Sequence, residues 1–222
     1  MKTMLLTLAV AALGMPASAQ TSANVAYQDG NVRITMIADG AARLEYAPDG
    51  KFVDNKSQVA VIRDYAPVSY KVSDKSKTVR ISTDAMTITY VKGKGPFTSA
   101  NLSIVSAKKK GALPFSWKPG QKDDGNLKGT YRTLDGYDGD LRDGKPMPIE
   151  DGVLSKSGWT LINDSKSYLF DRSEWPWVEE RPDTTKAQDW YFLAYGHDYK
   201  KALRMFTKFS GKVPLPPRYA FG

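Results

Sequence analysis

Residues 126–139 (NLKGTYRTLDGYDG) carry the side chains of this sequence that are best suited to binding a small polar molecule. Asp135 and Asp138 can accept hydrogen bonds from hydroxyl groups. Arg132 is a planar bidentate donor, and Tyr137 is a ring on which a flat molecule can stack. Together these groups could bind a polar ligand through hydrogen bonds and stacking. The alternative is that Asp135 and the glycine after it only make a turn.

Metal, thiol and nucleotide chemistry receive no support from the sequence. Asp135, Asp138, Asp140 and Asp143 form an acidic series, but its spacing departs from the EF-hand calcium loop and no glutamate closes it. The absence of cysteine excludes disulfides, thiolate catalysis and zinc-thiolate sites. No phosphate-binding loop, dinucleotide fingerprint or Gly-x-Ser-x-Gly elbow occurs. We therefore expect neither a metal nor a cofactor.

The elements that must hold these residues are predicted to be β-strands, because apolar residues recur with a period of two. Residues 32–36 alternate, Asp39-Gly40 predicts a type I′ hairpin turn, and residues 43–46 alternate back. Further strands are predicted at residues 59–63, 68–73, 78–82, 86–91, 102–105, 158–162, 168–171 and 190–195, with a turn at Asn163-Asp164 between the strands at 158–162 and 168–171. Many short strands at this spacing predict an all-β protein, an antiparallel sandwich or a barrel.

One helix is predicted after the last strand. Asp198 is a suitable N-cap and Gly211 is suited to the C′ position. The apolar residues that share one face of this helix are Tyr199, Ala202, Leu203, Phe206 and Phe209. The only histidine, His197, lies just before the N-cap and is predicted to be a structural or surface residue.

The N-terminus has the three regions of a secretory signal peptide, namely Lys2, an apolar run over residues 4–14, and Ala17-Ser18-Ala19. Cleavage near Ala19 predicts an exported protein, periplasmic or secreted, and the apolar run is too short to span a membrane. The formal net charge is +8, but the basic residues are scattered except at Lys108-Lys109-Lys110. That triplet predicts a solvated turn and no nucleic-acid partner.

Four stretches, in order along the C-terminal half, resemble glycoside hydrolase family 31, the retaining α-glucosidase and α-xylosidase family. They are residues 126–139, 148–165 (PIEDGVLSKSGWTLINDS), 190–211 (WYFLAYGHDYKKALRMFTKFSG) and 210–222 (SGKVPLPPRYAFG). The resemblance implies a galactose-mutarotase-like β-sandwich that ends in a helix and leads into a catalytic (β/α)8 barrel. It also implies that residues 126–139 form the loop that lines the substrate pocket in that family and contacts the sugar, with Asp135 as the first candidate for a hydroxyl acceptor.

The resemblance implies three divisions of the chain: a signal peptide at 1–19, the β-sandwich at 20–211, and a connector with a truncated first barrel strand at 212–222. Retaining glycosidases need two carboxyl groups about 5 Å apart, and in this family both are aspartates of the barrel, in a motif that is missing here. Neighbouring acids such as Glu150-Asp151 and Glu179-Glu180 would point to opposite faces of a strand. We therefore expect no catalytic residue in this chain and no activity without the barrel.

The expected partners are an α-linked carbohydrate and the barrel domain. A free-standing carbohydrate-binding or accessory sandwich is the alternative function. An aldose epimerase is disfavoured, because the similar sandwich of galactose mutarotases works with two histidines and a glutamate, whereas His197 is alone. Among the tryptophans, Trp159 is predicted to lie in the core, and Trp175 and Trp177 are predicted to meet a ligand or the barrel.

Overall fold

Two five-stranded antiparallel sheets enclose the main apolar core of the molecule. The structure is a computed structural model that describes residues 24–108, 113–129, 149–182 and 186–213, together with Pro217 and Tyr219. Its elements are β1 (Val25–Gln28), β2 (Val32–Ala38), β3 (Ala41–Tyr46), β4 (Lys71–Asp74), β5 (Thr78–Ser82), β6 (Met86–Val91), β7 (Leu102–Ser106), β8 (Ser116–Trp117), β9 (Trp159–Asn163), β10 (Leu169–Phe170), β11 (Val178–Glu179), β12 (Gln188–Ala194) and α1 (Tyr199–Ser210).

The first sheet has the strand order β1-β2-β3-β12-β9, and the second has the order β4-β5-β6-β7-β8. Strands β10 and β11 form a separate two-stranded hairpin. Strand β12 comes late in the chain but lies between β3 and β9, where Phe192 pairs with both Ala42 and Leu161. The predicted all-β antiparallel sandwich with one C-terminal helix is confirmed for the described residues.

The core follows from the two-residue period of the strands, because alternate side chains of each sheet point to the same face. Ile34 and Leu44 of the first sheet and Ile88 and Ile104 of the second are almost fully buried between the sheets. Trp159, predicted to be a core residue, also lies there. Each such side chain contributes roughly 1.5–3 kcal/mol through its removal from water.

Helix α1 covers the other face of the first sheet. The Asp198 carboxylate accepts a hydrogen bond from the Lys201 amide (2.8 Å), and Gly211 ends the helix with a φ of 79°, as the sequence predicted. The ring of Phe209 stacks on that of Tyr191 of β12, with centroids 4.4 Å apart. Within the described residues, no helix has the length and apolar character needed to cross a bilayer.

The buried face of α1 differs from the predicted one. Ala202, Met205 and Phe209 are buried, whereas Leu203 is 47% exposed. The spacing of 202, 205 and 209 keeps these residues on one stripe of the helix, so Met205 takes the place that was predicted for Leu203.

One turn prediction and two strand predictions were wrong. Residues 39–40 do connect a hairpin, but neither Asp39 nor Gly40 has the positive φ of a type I′ turn. A bulge between Met36 and Ala38 changes the register instead and supplies the extra strand twist. Residues 59–63 form no strand, because they run across the outer face of the first sheet, where the Ile62 amide donates to the Phe209 carbonyl (2.9 Å). The fourth strand begins at Lys71, and not at residue 68.

The predicted hairpin over residues 158–171 was also wrong. Strand β9 pairs with β12, and β10 pairs with β11. The turn residues Asn163-Asp164 therefore do not return the chain to β9. They lead it to the separate β10–β11 hairpin.

Candidate functional site

The four predicted ligand-binding residues, Arg132, Asp135, Tyr137 and Asp138, lie outside the described residues. The structure does describe the two ends of the segment that carries them. We call residues 123–129 and 149–157 the loop neck, because they are the chain on either side of residues 130–148. The geometry of the loop neck decides from which point of the sandwich that segment starts and to which point it returns.

The two sides of the loop neck run antiparallel and are hydrogen-bonded through their backbones. The Leu127 amide donates to the Leu154 carbonyl, and the Gly129 amide donates to the Glu150 carbonyl, both at 2.8 Å. On the surface, Lys128 Nζ lies 2.5 Å from Asp151 Oδ1. The chain therefore leaves the sandwich and comes back to it at neighbouring positions.

The side chain of Asn126 bridges the two sides of the loop neck. Its Oδ1 accepts hydrogen bonds from the amides of Lys128 (2.8 Å) and Gly152 (2.9 Å). Its Nδ2 donates to the Gly152 carbonyl (3.1 Å) and to Asp123 Oδ2 (3.2 Å). An asparagine has one acceptor oxygen and two donor hydrogens, and both groups are used here. Asn126 thus fixes both the direction and the separation of the two chain ends.

Asp123 anchors the end of the loop neck that is furthest from residues 130–148. Its Oδ1 accepts hydrogen bonds from Ser155 Oγ (2.7 Å), Ser157 Oγ (2.8 Å) and the Gly125 amide (3.2 Å). Position 125 must be glycine, because a Cβ there would lie 2.7 Å from Ser157 Oγ and 2.8 Å from the Ser157 amide nitrogen. Sequence reasoning missed Asp123, Ser155 and Ser157 as anchoring residues. The turn-forming run at residues 123–126 (DDGN) is a local signal for Asp123.

The loop neck is tied to the first sheet through Tyr195, which directly follows β12. The Tyr195 hydroxyl accepts a hydrogen bond from the Ser155 amide (2.6 Å) and lies 2.7 Å from Thr160 Oγ1. Thr160 Oγ1 also lies 2.9 Å from the Val153 carbonyl oxygen. Burial raises the pKa of Tyr195, so its proton stays in place at neutral pH. The position of the loop neck is therefore set by β9 and by the end of β12.

A second polar region lies on the outer face of the first sheet. We call Arg43, Glu45, Asp164, Arg181 and Asp189 the ionic cluster. Arg43 makes a bidentate pair with Asp189, with Nε–Oδ1 2.8 Å and Nη2–Oδ2 2.7 Å, and its Nη2 lies 3.1 Å from Glu45 Oε1. Arg181 joins the two aspartates, with 3.1 Å from Nη1 to Asp189 Oδ2 and from Nη2 to Asp164 Oδ2.

The two aspartates of the ionic cluster have pKa values that depart from the ordinary value in opposite directions. Burial alone would raise the pKa of Asp189, but the charge of Arg43 and its hydrogen bonds, with the charge of Arg181, hold that pKa below its ordinary value. Desolvation and the nearby charge of Asp189 raise the pKa of Asp164, against the hydrogen bond from Ser57. The cluster joins the hairpin region to β3 and β12, and all its carboxylates already have arginine partners or lie buried. We interpret it as structural.

The remaining candidate residues are scattered over the surface. His197, Glu150, Asp151, Glu179 and Glu180 are exposed. Among the residues that the structure describes, no group of three or more histidine, aspartate or glutamate side chains is arranged to hold a metal ion. Trp175 and Trp177 are exposed on the β10–β11 hairpin.

The described fold matches solved structures of much longer enzymes. A Flavobacterium johnsoniae GH31 dextranase complexed with glucose superimposes with a TM-score of 0.50 and 18% identity, over 87% of this chain and 27% of that chain. A mutant of the same dextranase complexed with isomaltotriose gives a TM-score of 0.50, 17% identity and the same coverage. The chain folds like a part of a GH31 enzyme. The resemblance that the four sequence stretches suggested is thereby confirmed at the level of the fold.

Other comparisons add less. The cycloalternan-forming enzyme from Listeria monocytogenes, in complex with a pentasaccharide substrate, matches with a TM-score of 0.47 and 16% identity, over 86% of this chain and 21% of that chain. Comparison of the sequence with protein-family models and with curated proteins gave no match. The chain spans about a quarter of the length of the dextranase, 27%.

Proposed function

We propose that this chain is the N-terminal β-sandwich domain of an exported retaining α-glycosidase of the α-glucosidase or α-xylosidase type. In this proposal the domain contributes a substrate-contacting loop to a catalytic (β/α)8 barrel, which supplies the nucleophile and the acid/base. The substrate is an α-linked carbohydrate. The domain has no hydrolytic activity by itself, because both catalytic carboxylates belong to the barrel.

The observation that carries this proposal is the loop neck. Asn126 and Asp123 hold the two chain ends side by side against β9 and the end of β12. The segment 130–148, which carries Arg132 and Asp135, therefore starts from and returns to one point of the sandwich. A segment whose ends are already fixed has less conformational entropy to lose when it orders on a ligand. The arrangement suits a loop that reaches from one domain into the site of another.

The fold supports the same proposal. The dextranase that shares it was solved with glucose, and its mutant with isomaltotriose. A sugar hydroxyl near Asp135 would donate to the carboxylate, and the guanidinium of Arg132 would donate two parallel hydrogen bonds to sugar oxygens. Tyr137 and Asp138 complete the proposed set, with the ring available for stacking on a sugar.

We also propose the domain boundaries on which this function depends. Residues 1–19 are the signal peptide, 20–211 the β-sandwich, and 212–222 the connector and the start of the first barrel strand. The end of α1 at Ser210 and the left-handed backbone of Gly211 support a domain end at this point. Export follows from the signal peptide and is tested by N-terminal sequencing of the protein recovered outside the cytoplasm.

Asp135→Ala tests the proposed function in a chimaera in which this chain replaces the matching part of the Flavobacterium johnsoniae dextranase. We expect the chimaera to hydrolyse dextran and the isolated chain to show no turnover. The substitution should lower kcat/KM by an amount that corresponds to a loss of about 1–3 kcal/mol of transition-state stabilisation, the cost of leaving buried sugar-binding groups unpaired. The melting temperature should stay nearly unchanged.

Asp143→Ala is the matched control, because Asp143 is an acid of the same segment that is not assigned to the sugar. We expect it to leave kcat/KM within about twofold of the parent, as for substitutions away from specific contacts. Equal activity of the Asp135→Ala chimaera and its parent would reduce Asp135 to a turn residue. Turnover by the isolated chain that survives repurification would contradict the division of labour between the two domains.

A further inference from the structure

The tip of the β10–β11 hairpin exposes two indole rings. Trp175 is 80% exposed and Trp177 is 76% exposed. Tryptophan usually removes a large apolar area from water in a core or an interface, so two neighbouring exposed indoles need an explanation. Both rings are therefore accessible to the ligand or the barrel that the sequence predicts as their partner.

The hairpin tip has a defined conformation that does not depend on the indoles. Asp171 Oδ1 accepts hydrogen bonds from the amides of Ser173 (3.2 Å) and Trp177 (3.0 Å). Ser173 Oγ lies 2.7 Å from Asp171 Oδ1 and 2.7 Å from the Trp175 carbonyl oxygen. These bonds to Asp171 lower its pKa, so the carboxylate stays charged and keeps its acceptor role. The two indoles are displayed on a loop that is ordered before any ligand binds.

The two indoles lie close together along the chain. Only Pro176 separates Trp175 from Trp177, so one ligand can contact both rings. Each ring offers a flat apolar surface, which matches the C–H face of a hexose.

A cavity of about 390 Å³ adjoins the same hairpin. Asn55, Arg172 and Glu179 line it, where Asn55 Nδ2 donates to Glu179 Oε1 (3.0 Å) and Arg172 Nε donates to Asn55 Oδ1 (3.2 Å). Within the described part of the chain, the terminal nitrogens of Arg172 and the second oxygen of Glu179 have no hydrogen-bond partner. The volume lies in the range of roughly 300–1,000 Å³ that is typical of small-molecule sites.

The surroundings of the indoles favour a sugar over a protein partner. The hairpin carries Arg172, Glu174, Glu179 and Glu180, all exposed, whereas the centre of a protein interface is depleted of charged residues. Two indoles are also small against the roughly 800 Å² that each partner buries in a stable protein complex. The hairpin thus carries stacking surfaces and, at the cavity, the donors and acceptors that a polyhydroxylated ring requires.

We propose that the β10–β11 hairpin and its adjoining cavity form a second carbohydrate-binding site, separate from residues 130–148. The indoles of Trp175 and Trp177 stack on the sugar, and Arg172 and Glu179 bond hydroxyl groups at the mouth of the cavity. The ligand class is an α-linked oligosaccharide, an assignment that rests on the proposed function. The second site holds the polymer near the domain and takes no part in bond cleavage.

The test measures binding of isomaltotriose and of dextran to the whole chain by isothermal titration and by tryptophan fluorescence. Trp175→Ala and Trp177→Ala should each weaken binding about tenfold, since stacking contributes up to this factor. The double variant should lose measurable binding. Trp175→Phe should bind more tightly than Trp175→Ala, because it keeps an aromatic ring. Tyr219→Ala is the matched control, because Tyr219 is 85% exposed and lies outside the hairpin, and it should bind like the parent. Circular dichroism shows that each variant is folded.

Three results would overturn the second site. The first is no binding by the parent chain, and the second is binding that the double variant retains. The third is self-association of the parent, detected by sedimentation, that the double variant loses without any sugar being bound. The failure of the proposed function gives a different pattern. An inactive chimaera whose Trp-dependent sugar binding persists would leave this site intact and identify the chain as an accessory binding module.

Discussion

The ionic cluster and the loop neck both gather polar side chains at the surface of the first sheet, but they assemble over very different distances along the chain. Arg43 and Asp189 are separated by 146 residues, whereas Asp123 reaches Ser155 and Ser157 over 32 and 34 residues. The ionic cluster uses full charges that are almost completely buried. The loop neck uses the Asp123 carboxylate, the Asn126 amide, two serine hydroxyls and many backbone groups, and its ion pair between Lys128 and Asp151 is exposed.

This difference shows what each region requires from the rest of the fold. A buried arginine or aspartate is costly unless its partner is already in place, and β3 and β12 bring these partners together only when the first sheet is complete. The loop neck needs only two short stretches to meet, and its hydrogen bonds satisfy backbone groups that water could also serve. We therefore expect the ionic cluster to report on global stability and the loop neck to report on local opening.

Arg43→Met should have the largest effect on stability. The substitution leaves Asp189 buried without its bidentate partner and removes one of the two arginines beside Glu45, which keeps Arg33. Breaking a buried pair costs about 3–5 kcal/mol. The measurement is the free energy of unfolding from urea titration.

Lys122→Met is the control, since the Lys122 side chain is 88% exposed and pairs with Asp124. This variant should lower the free energy of unfolding by well under about 1 kcal/mol. A similar small loss for both variants would show that the ionic cluster is not coupled to the sheet.

Asp123→Ala should have a smaller and more local effect. It removes the acceptor for two serine hydroxyls and the Gly125 amide, at a cost of about 1–3 kcal/mol. We expect faster proteolytic cleavage between residues 129 and 150, with a modest shift of the urea midpoint. Asp124→Ala provides a neighbouring control, because Asp124 is exposed and, among the described residues, pairs only with Lys122. Cleavage at the same rate in both variants would mean that Asp123 does not hold the loop neck closed.

The smallest expected effect is a contrast in pH dependence within the ionic cluster. The pKa of Asp189 lies below its ordinary value of 3.8, so its stabilisation is present above pH 3.8 and is lost as the pH falls through the folded-state pKa. The pKa of Asp164 lies above 3.8, so its contribution is present below pH 3.8 and is lost as the pH rises through its folded-state pKa.

Two isosteric variants test this contrast by urea titration between pH 3 and pH 7. The cost of Asp189→Asn should be larger at pH 7 than at pH 3, and the cost of Asp164→Asn should be larger at pH 3 than at pH 7. A tenfold difference between the acid dissociation constants of the folded and unfolded states changes the free energy of unfolding by about 1.4 kcal/mol. Parallel pH profiles for the two variants would contradict the opposite directions of the two pKa values.

Sequence patterns predicted the sandwich, the helix and most strands because these features depend on local period and capping. Asp198 and Gly211 marked the ends of α1 correctly, and the alternation of apolar residues located β5 and β6. The partner of β9 was missed, because nothing local distinguishes a return to β10 from pairing with a strand that comes 25 residues later. Period two also places Arg43 and Glu45 on a face that reads as solvent-exposed. Residues 52–65 and the hairpin cover that face, and this packing cannot be predicted from the local sequence.

The candidate site was predictable to a different degree. The DDGN turn at residues 123–126 is visible in the sequence, but the serines that complete the loop neck depend on where β9 begins. The proline-interrupted stretch that carries Trp175 and Trp177 was the signal that set them apart from the core tryptophan Trp159. The cavity beside them gave no such signal, because Asn55 and Glu179 meet only through long-range folding.

The loop neck also has a consequence for how this domain can change. Because residues 129 and 150 are held together from both sides, the segment between them closes a ring whose ends are fixed by the sandwich. Doubling the length of such a ring costs only about 0.6 kcal/mol of closure entropy. Insertions and replacements between these two positions therefore cost the fold little, and the proposed sugar contacts can diversify there while the sheets and the helix stay as they are.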